Sequence, residues 1–305
     1  MKIRISLLLA LTLALSGCGQ AESTEDTWSD AVRIEFSDDS VTVDGNAASA
    51  DSAVYTENDI IFYLEGQGVT YGEGTEADAH SQAEADAHTV VHITQPGTYV
   101  LSGELSAGQI AVDLGEGAET DPEAVVTLVL DGVDITCTVA PAVMFYRVYE
   151  CGSTDGDAAS WEVDTSAAGA NIMIADGTEN TIRGSYVARI YDPESVTLSE
   201  DGTEVEDAKK LHKYDGAFYS RMSMNVSGGA AGTGVLNIYG ENEGLDTELH
   251  LTIQSGVINI FSGNDGINTN EDGVSVTTIN GGALSIQVTG ETGEGAINAY
   301  MKDGI

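Results

Sequence analysis

Cationic side chains are scarce: Lys and Arg together number 11 against 50 Asp and Glu, a formal net charge of −39 at pH 7. Between Met222 and Met301 there is no Lys or Arg at all. Such a chain lacks the basic stripes that nucleic acid and anionic lipid require, and neither is expected as a partner. Divalent cations are attracted instead, although solubility in a salty exterior explains much of the acidity. Cysteine is scarce too, with only Cys18, Cys137 and Cys151. Cys137 and Cys151 are close enough in sequence for a disulfide in an oxidising compartment, and equally readable as two buried thiols. Long apolar runs are absent beyond residues 5–15, and that one is too short to span a membrane. Poverty in charge of one sign does not mean poverty in core: 42% of residues are hydrophobic.

The apolar run follows Lys2 and Arg4 and ends in Leu15-Ser16-Gly17-Cys18. This order of charge, apolar segment and small residues predicts a secretory signal peptide over residues 1–18. Its last four residues resemble the lipobox of bacterial lipoproteins, which implies acylation of Cys18 and a chain tethered on the outer face of a bacterial membrane. Each buried acyl CH₂ contributes about 0.8 kcal/mol, so a multiply acylated cysteine anchors stably. Residues 19–31, rich in Ser, Thr, Glu and Asp, read as an acidic flexible tether.

The segment 232–298 carries the main fold signal. Gly234-Val235-Leu236-Asn237-Ile238-Tyr239, Gly256-Val257-Ile258-Asn259-Ile260-Phe261 and Gly282-Ala283-Leu284-Ser285-Ile286-Gln287 recur at spacings of 22 and 26 residues. Each alternates with period two and ends in a Gly-, Asn- or Asp-rich turn. A helix does not accommodate that alternation through so many glycines. The reading is an all-β, stacked parallel solenoid. Leu236, Ile258 and Leu284 form one inward ladder, and Ile238, Ile260 and Ile286 a second. Asn237, Asn259 and Ser285 form one outward row, and Tyr239, Phe261 and Gln287 another.

Upstream, residues 32–95 read as a β-rich capping region, with strands near 32–36, 40–43 and 59–64. Residues 75–88 are Ala-rich and predict one short helix. It places Glu76, His80, Glu84 and His88 on one stripe, suited to a transition metal or, more simply, to acid–imidazole pairing. Short strands then follow to residue 226, interrupted by polar excursions at 153–164 and 193–213. Regular coils are expected from about 217.

Several motifs occur in order. They include Pro96-Gly97-Thr98-Tyr99-Val100-Leu101-Ser102-Gly103, Val126-Thr127-Leu128-Val129-Leu130-Asp131-Gly132-Val133, Ala175-Asp176-Gly177-Thr178-Glu179-Asn180-Thr181 and Asp215-Gly216-Ala217-Phe218-Tyr219-Ser220. With the Asp-Gly-Ile turns, they resemble the secreted clostridial carbohydrate-binding β-helix family, whose founding member binds pectin and cellulose. The resemblance runs from about residue 89 to the end. It implies a right-handed single-stranded parallel β-helix over 96–305, bound calcium and affinity for acidic polysaccharide.

Calcium also has support in the residues themselves. One turn residue per coil lands about 4.8 Å above its counterpart. Glu243 and Asp265, with Glu294, make one acid ladder; Asp246 and Asn268, with Asn298, make another. Stacked carboxylates repel unless protonated or bridged by a cation. The run Asn268-Thr269-Asn270-Glu271-Asp272-Gly273 supplies oxygens at EF-hand-like spacing, but position twelve is Ile279 rather than Glu. Candidate calcium ligands are therefore Glu243, Asp246, Asp265, Asn268, Asn270 and Asp272. Asn and Asp that merely suit tight turns explain the same pattern. Candidate glycan contacts are Asn237, Tyr239, Asn259 and Phe261, with ordinary solenoid decoration as the plain alternative.

A cell-surface lipoprotein that binds an acidic, pectin-like polysaccharide through bridging calcium is the expectation. A pectate-lyase-like enzyme is the main rival. Its Lys or Arg base is missing from 222–301, which leaves Arg221, Lys302 and the 193–213 insertion. A rigid structural spacer or adhesin is the third reading. Asp303-Gly304-Ile305 resembles the start of another turn, so the last coil is expected to be incomplete or completed by a partner.

Overall fold

The computed structural model describes residues 28–50, 52–58, 60, 80–153, 160, 162–191, 195–203, 205–207, 210–271, 273–289 and 297–298. The signal segment with Cys18, the tether up to residue 27, most of the strand expected at 59–64, Glu76, Asp272, Glu294 and residues 299–305 lie outside them.

The described chain is all-β. Helix there is limited to Gln82–Ala85, a 3₁₀ turn at Ala118–Thr120 and a 3₁₀ residue at Ser195. Two large, mainly parallel sheets dominate, and neither closes on itself. The first stacks Thr89–Ile93, Gly108–Asp113, Val143–Arg147, Gly216–Ser220, Glu243–Thr247, Ile267–Thr269 and Ile297–Asn298 in parallel. Val54–Glu57 covers its N-terminal edge in antiparallel fashion.

The second sheet starts from two long neighbours, Gly97–Leu105 and Val126–Thr136. It then divides. The first half of Val126–Thr136 leads through Ala170–Ile174, Met224–Gly228 and Leu251–Ile253 to Thr277–Ile279. The second half leads through Glu179–Gly184, Val235–Gly240 and Val257–Ser262 to Ala283–Val288. Each circuit of chain therefore visits the first sheet, one branch, then the other branch. The division lies at Asp131-Gly132, where Gly132 takes a φ of 77° that side chains disfavour. Asn180, wholly buried, secures that bend. Its Oδ1 accepts from Gly132 N (2.8 Å) and Val133 N (3.1 Å), and its Nδ2 donates to Val235 O (3.1 Å).

Registers agree with the expected ladders. Leu236 pairs with Ile258 and Ile258 with Leu284; Ile238 pairs with Ile260 and Ile260 with Ile286. Leu236, Ile238, Ile258 and Ile260 are at most 1% exposed, whereas Leu284 and Ile286 are partly buried against the same core. Parallel strands buried along one line satisfy their backbone groups in the ladder and their side chains in the core at once.

Three expectations change. The helix described is only Gln82–Ala85, begun by a capping box. Ser81 Oγ accepts from Glu84 N (3.2 Å), and Glu84 Oε2 accepts from Ser81 N (2.9 Å). His88 is not a metal ligand on an open stripe. It is 3% exposed, and its Nε2 accepts from Thr138 N (3.1 Å). That places the proton on Nδ1, which donates to Glu84 O (2.8 Å). Both ring nitrogens are thus used in joining the helix to a neighbouring turn. The insertion at 193–213 is not merely a polar loop. Val187–Tyr191 pairs antiparallel with Lys210–Tyr214, and Thr197–Leu198 with Val205–Asp207. Of the two readings left open for Cys137 and Cys151, the structure holds free thiols, Cys137 buried and Cys151 half-buried. Burial pushes each up to about 11.

Candidate functional site

The branch through Val235–Gly240 and Val257–Ser262 turns every second side chain outward, and this assembles the candidate glycan face. Tyr239 and Phe261 stack with ring centroids 5.0 Å apart and planes inclined by 11°. Arg183 occupies the same outward row one strand earlier. Its guanidinium lies 5.2 Å from the Tyr239 ring centre and 2.6 Å from Asp134 Oδ1. In the adjacent row, Asn259 Nδ2 donates to Asn237 Oδ1 (2.9 Å), and Asn237 Nδ2 donates to Glu179 Oε1 (3.2 Å). Tyr239, at 40% exposure, is the one large apolar side chain that stands exposed among those described. The four residues expected as glycan contacts therefore share one face. The ring faces, however, are turned toward each other and toward Arg183. What the row offers solvent is ring edges, a phenol, amides and a guanidinium.

Of the expected calcium ligands, Glu243, Asp246, Asn268 and Asn270 are linked by hydrogen bonds, inside rather than on a shelf. Glu243, Asp246, Asp265 and Asn268 are 1%, 0%, 3% and 6% exposed, and Asp215 joins them at 2%. Asp246 pairs in register with Asn268, and Asn268 with Asn298. Amide donors thread the cluster. Asn268 Nδ2 donates to Glu243 Oε1 (3.1 Å) and Asn270 Oδ1 (2.9 Å). Asn270 Nδ2 donates to Asp246 Oδ1 (2.6 Å), and Asp215 N donates to Asp246 Oδ2 (3.1 Å). Burial, reinforced by Glu248 and Asp246, holds the neighbouring Tyr219 hydroxyl well above the ordinary tyrosine range. It donates to Glu248 Oε1 at 3.2 Å.

In kind, these donors fit a hard cation: buried carboxylates, in a stretch of sequence without Lys or Arg. In number they do not suffice alone. Among the described residues, no three Asp, Glu, His or Cys side chains converge as a metal-holding group. Amide and backbone oxygens would have to complete a shell.

Sequence reasoning missed a concave site. An open cleft of about 810 Å³ is lined by Glu119, Tyr149, Glu150, Arg221, Glu248 and Glu271 among others. Arg221 Nη1 lies 3.5 Å from Glu119 Oε1, and its guanidinium is 5.1 Å from the Tyr146 ring centre. Glu150 is fully engaged. It accepts from Gly152 N (2.7 Å), Ser223 N (2.7 Å) and Ser223 Oγ (2.8 Å). The one sequence signal was Arg221 itself, the last cation before a long stretch without any.

Beside the cleft, His250 is 3% exposed and its Nδ1 accepts from Val276 N at 3.1 Å. Burial lowers its pKa below the usual 6.5. A folded pKa below the unfolded one means that the unfolded chain binds the proton more readily. The contribution is complete above about pH 6.5 and is lost as pH falls through the folded value. The urea midpoint is expected to drop between pH 7.5 and pH 5, and His250→Gln to reduce that drop. An identical pH slope in the two proteins would exclude His250 as a cause.

A family model of carbohydrate-binding domain-containing proteins matches residues 87–300, more than half of the chain. No curated protein matches. One similar solved structure is described as that of the polysaccharide lyase-like protein from C. thermocellum, in a gadolinium derivative. It is 22% identical over 83% of this chain and 81% of that chain, with a TM-score of 0.43.

Proposed function

The chain belongs to the carbohydrate-binding domain-containing protein family, and from that premise we propose that it binds an extracellular polysaccharide without cleaving it. The observation that carries the site is the outward face of Asn237, Tyr239, Asn259 and Phe261. Its rows advance by about 4.8 Å per strand, a step comparable to a sugar unit in an extended glycan. Amides suit hydroxyls, and the phenol and ring edges suit the CH-rich flank of a pyranose. The three-ladder path is read here as a right-handed parallel β-helix, and the stacked face as its lateral surface.

The preferred glycan is acidic and pectin-like, with calcium between protein and glycan. A chain of net charge −39 repels a polyuronate. A cation bridging the two carboxylate sets removes that repulsion, and Arg183 adds a positive charge within the aromatic row. A second calcium role is structural, at Glu243 and Asp246, with Asn268 and Asn270 oxygens and backbone carbonyls completing the shell. Cys18 is the proposed lipid-attachment residue, and it would hold the face outside a bacterial membrane. Binding is preferred over lyase chemistry because neither row of the face contains a Lys, and its Arg183 is paired with Asp134. A proton-abstracting Arg acts poorly while held by a carboxylate.

Retention of polygalacturonate and of neutral glycans, with calcium and with EDTA, tests the proposal. Retention of the uronate should require calcium. Tyr239→Ala and Phe261→Ala should each weaken it by about tenfold, the equivalent of about 1.4 kcal/mol. An unsaturated, ultraviolet-absorbing product would replace binding by lyase activity. Retention of no glycan at all would leave only a spacer role.

A further inference from the structure

Two cavities meet at Gly152. The larger is the cleft containing Arg221, Glu248 and Glu271, with apolar surface from Tyr149, Met222 and Leu249. The smaller, about 250 Å³, contains His250 together with Cys151, Glu162 and Asp164. His250 is the informative group. Because Nδ1 accepts from Val276 N, the neutral ring carries its proton on Nε2. A methyl group built on Gly152 would lie 2.9 Å from that Nε2. The N–H therefore points at the junction of the cavities, from a side chain that is 3% exposed. It makes no hydrogen bond to any described residue. The side chain is nearly enclosed, yet it lines the smaller cavity, where a ligand oxygen can reach this donor.

A metal ion does not fit there. Ligation through Nε2 would move the proton to Nδ1 and break the bond to Val276. An anion does not fit either, because Glu150, Glu162, Asp164, Glu248 and Glu271 surround the junction and Arg221 is the one cation on the lining. Arg221 is itself engaged with Glu119. The Glu271 carboxylate makes no hydrogen bond to a described residue, and it lies exposed at the cleft. The occupant must offer an oxygen to His250, a positive charge to the glutamates and an apolar flank to Tyr149 and Leu249.

We propose that the groove over Gly152 binds a saccharide bearing free amines, of the glucosamine type. A ring hydroxyl would accept from His250 Nε2, and an ammonium would sit between Glu248 and Glu271. This is a second site, separate from the Tyr239–Phe261 face and independent of that reading. An acetylated amine loses its charge and gains bulk, so the N-acetylated sugar is discriminated against.

The probe is the disaccharide of glucosamine, compared with its N-acetylated counterpart by calorimetry at pH 7. A strongly acidic protein attracts any amine, so Gly152→Val, which leaves the charge unchanged, is the decisive variant. Its side chain would meet His250 and Glu150 and fill the junction. One-to-one binding is expected, weakened at least tenfold by acetylation and by Gly152→Val, and severalfold by the surface change Glu271→Gln. The His250 Nε2–H resonance of the wild-type protein should shift on titration, which tests the site even where Gly152→Val folds poorly. Tyr239→Ala should leave this affinity unchanged, and Gly152→Val should leave polygalacturonate retention unchanged. Equal affinity in wild type and Gly152→Val, binding without a fixed stoichiometry, or a silent His250 resonance would overturn the proposal.

Discussion

Replacing Ile260 by Asp is expected to abolish the cooperative folded state at neutral pH. Ile260 is 1% exposed and lies at the centre of an inward ladder, between Ile238 and Ile286. Its packing is close: a methyl group on Gly244 would come within 2.3 Å of Ile260 Cγ2. The substitution removes this contact and buries a carboxylate that has no Lys or Arg anywhere in 222–301 to pair with. Loss of the apolar side chain costs about 2–5 kcal/mol, and the buried charge adds several more unless the group stays protonated. Domains of ordinary stability have about 5–15 kcal/mol in total. In a stacked array each strand supports only its neighbours, so the damage passes to both sides. Ile260→Val, by contrast, should cost about 0.5–1.5 kcal/mol. Thermal melting followed by circular dichroism checks both. A midpoint for Ile260→Asp within a few degrees of wild type would contradict the inward ladder.

The inward and outward rows were legible because period-two alternation and a repeat of the same six-residue pattern leave one register. A slip by one residue would expose Ile238 and Ile260 and bury Asn237 and Asn259. The turn acids were legible as stacked residues but not as buried ones. Nothing in Glu243 or Asp246 distinguishes a carboxylate facing solvent from one threaded by Asn268 and Asn270 amides. That depends on where the next circuit lays its asparagines. The helix at 75–88 was overextended for a related reason. Alanine content favours helix, but Thr89-Val90-Val91 is drawn into the first sheet, and His88 is taken by Thr138, a residue of a later circuit. The strands inside 193–213 were hidden because lysines and acids mask any alternation there. The cleft was least legible of all. Glu119, Tyr149, Arg221, Glu248 and Glu271 come from successive circuits separated by insertions of unequal length, so no fixed spacing connects them.

Asp246→Asn offers the sharpest test of the buried acid cluster, because the cation reading and the hydrogen-bond reading predict opposite signs. Asp246 accepts from Asn270 Nδ2 and from Asp215 N, and the Asn268 and Asn270 amides link it to Glu243. Without calcium, neighbouring buried carboxylates raise each other's cost of ionisation. Removing one charge should then be neutral or stabilising, even though an amide serves one of the two donors less well. With calcium at a hundredfold excess over its dissociation constant, the wild-type protein gains about 2.7 kcal/mol. At roughly 2–4 °C per kcal/mol for a chain of this size, the melting temperature should rise by about 5–10 °C. Asp246→Asn, with one anionic oxygen donor fewer, should rise by less than half as much. If the Asn268 and Asn270 amides alone satisfy the cluster, calcium shifts neither protein, and Asp246→Asn is destabilising by the lost hydrogen bond, about 1–3 kcal/mol. The same titration separates structural from bridging calcium. Where one ion population does both, polygalacturonate retention and melting temperature rise over the same calcium range. If the melting temperature saturates at low calcium while retention climbs only at higher calcium, the buried ion stiffens the turns and a weaker, surface-held ion links the protein to the glycan. Asp246→Asn would then lower the first curve and leave the second in place.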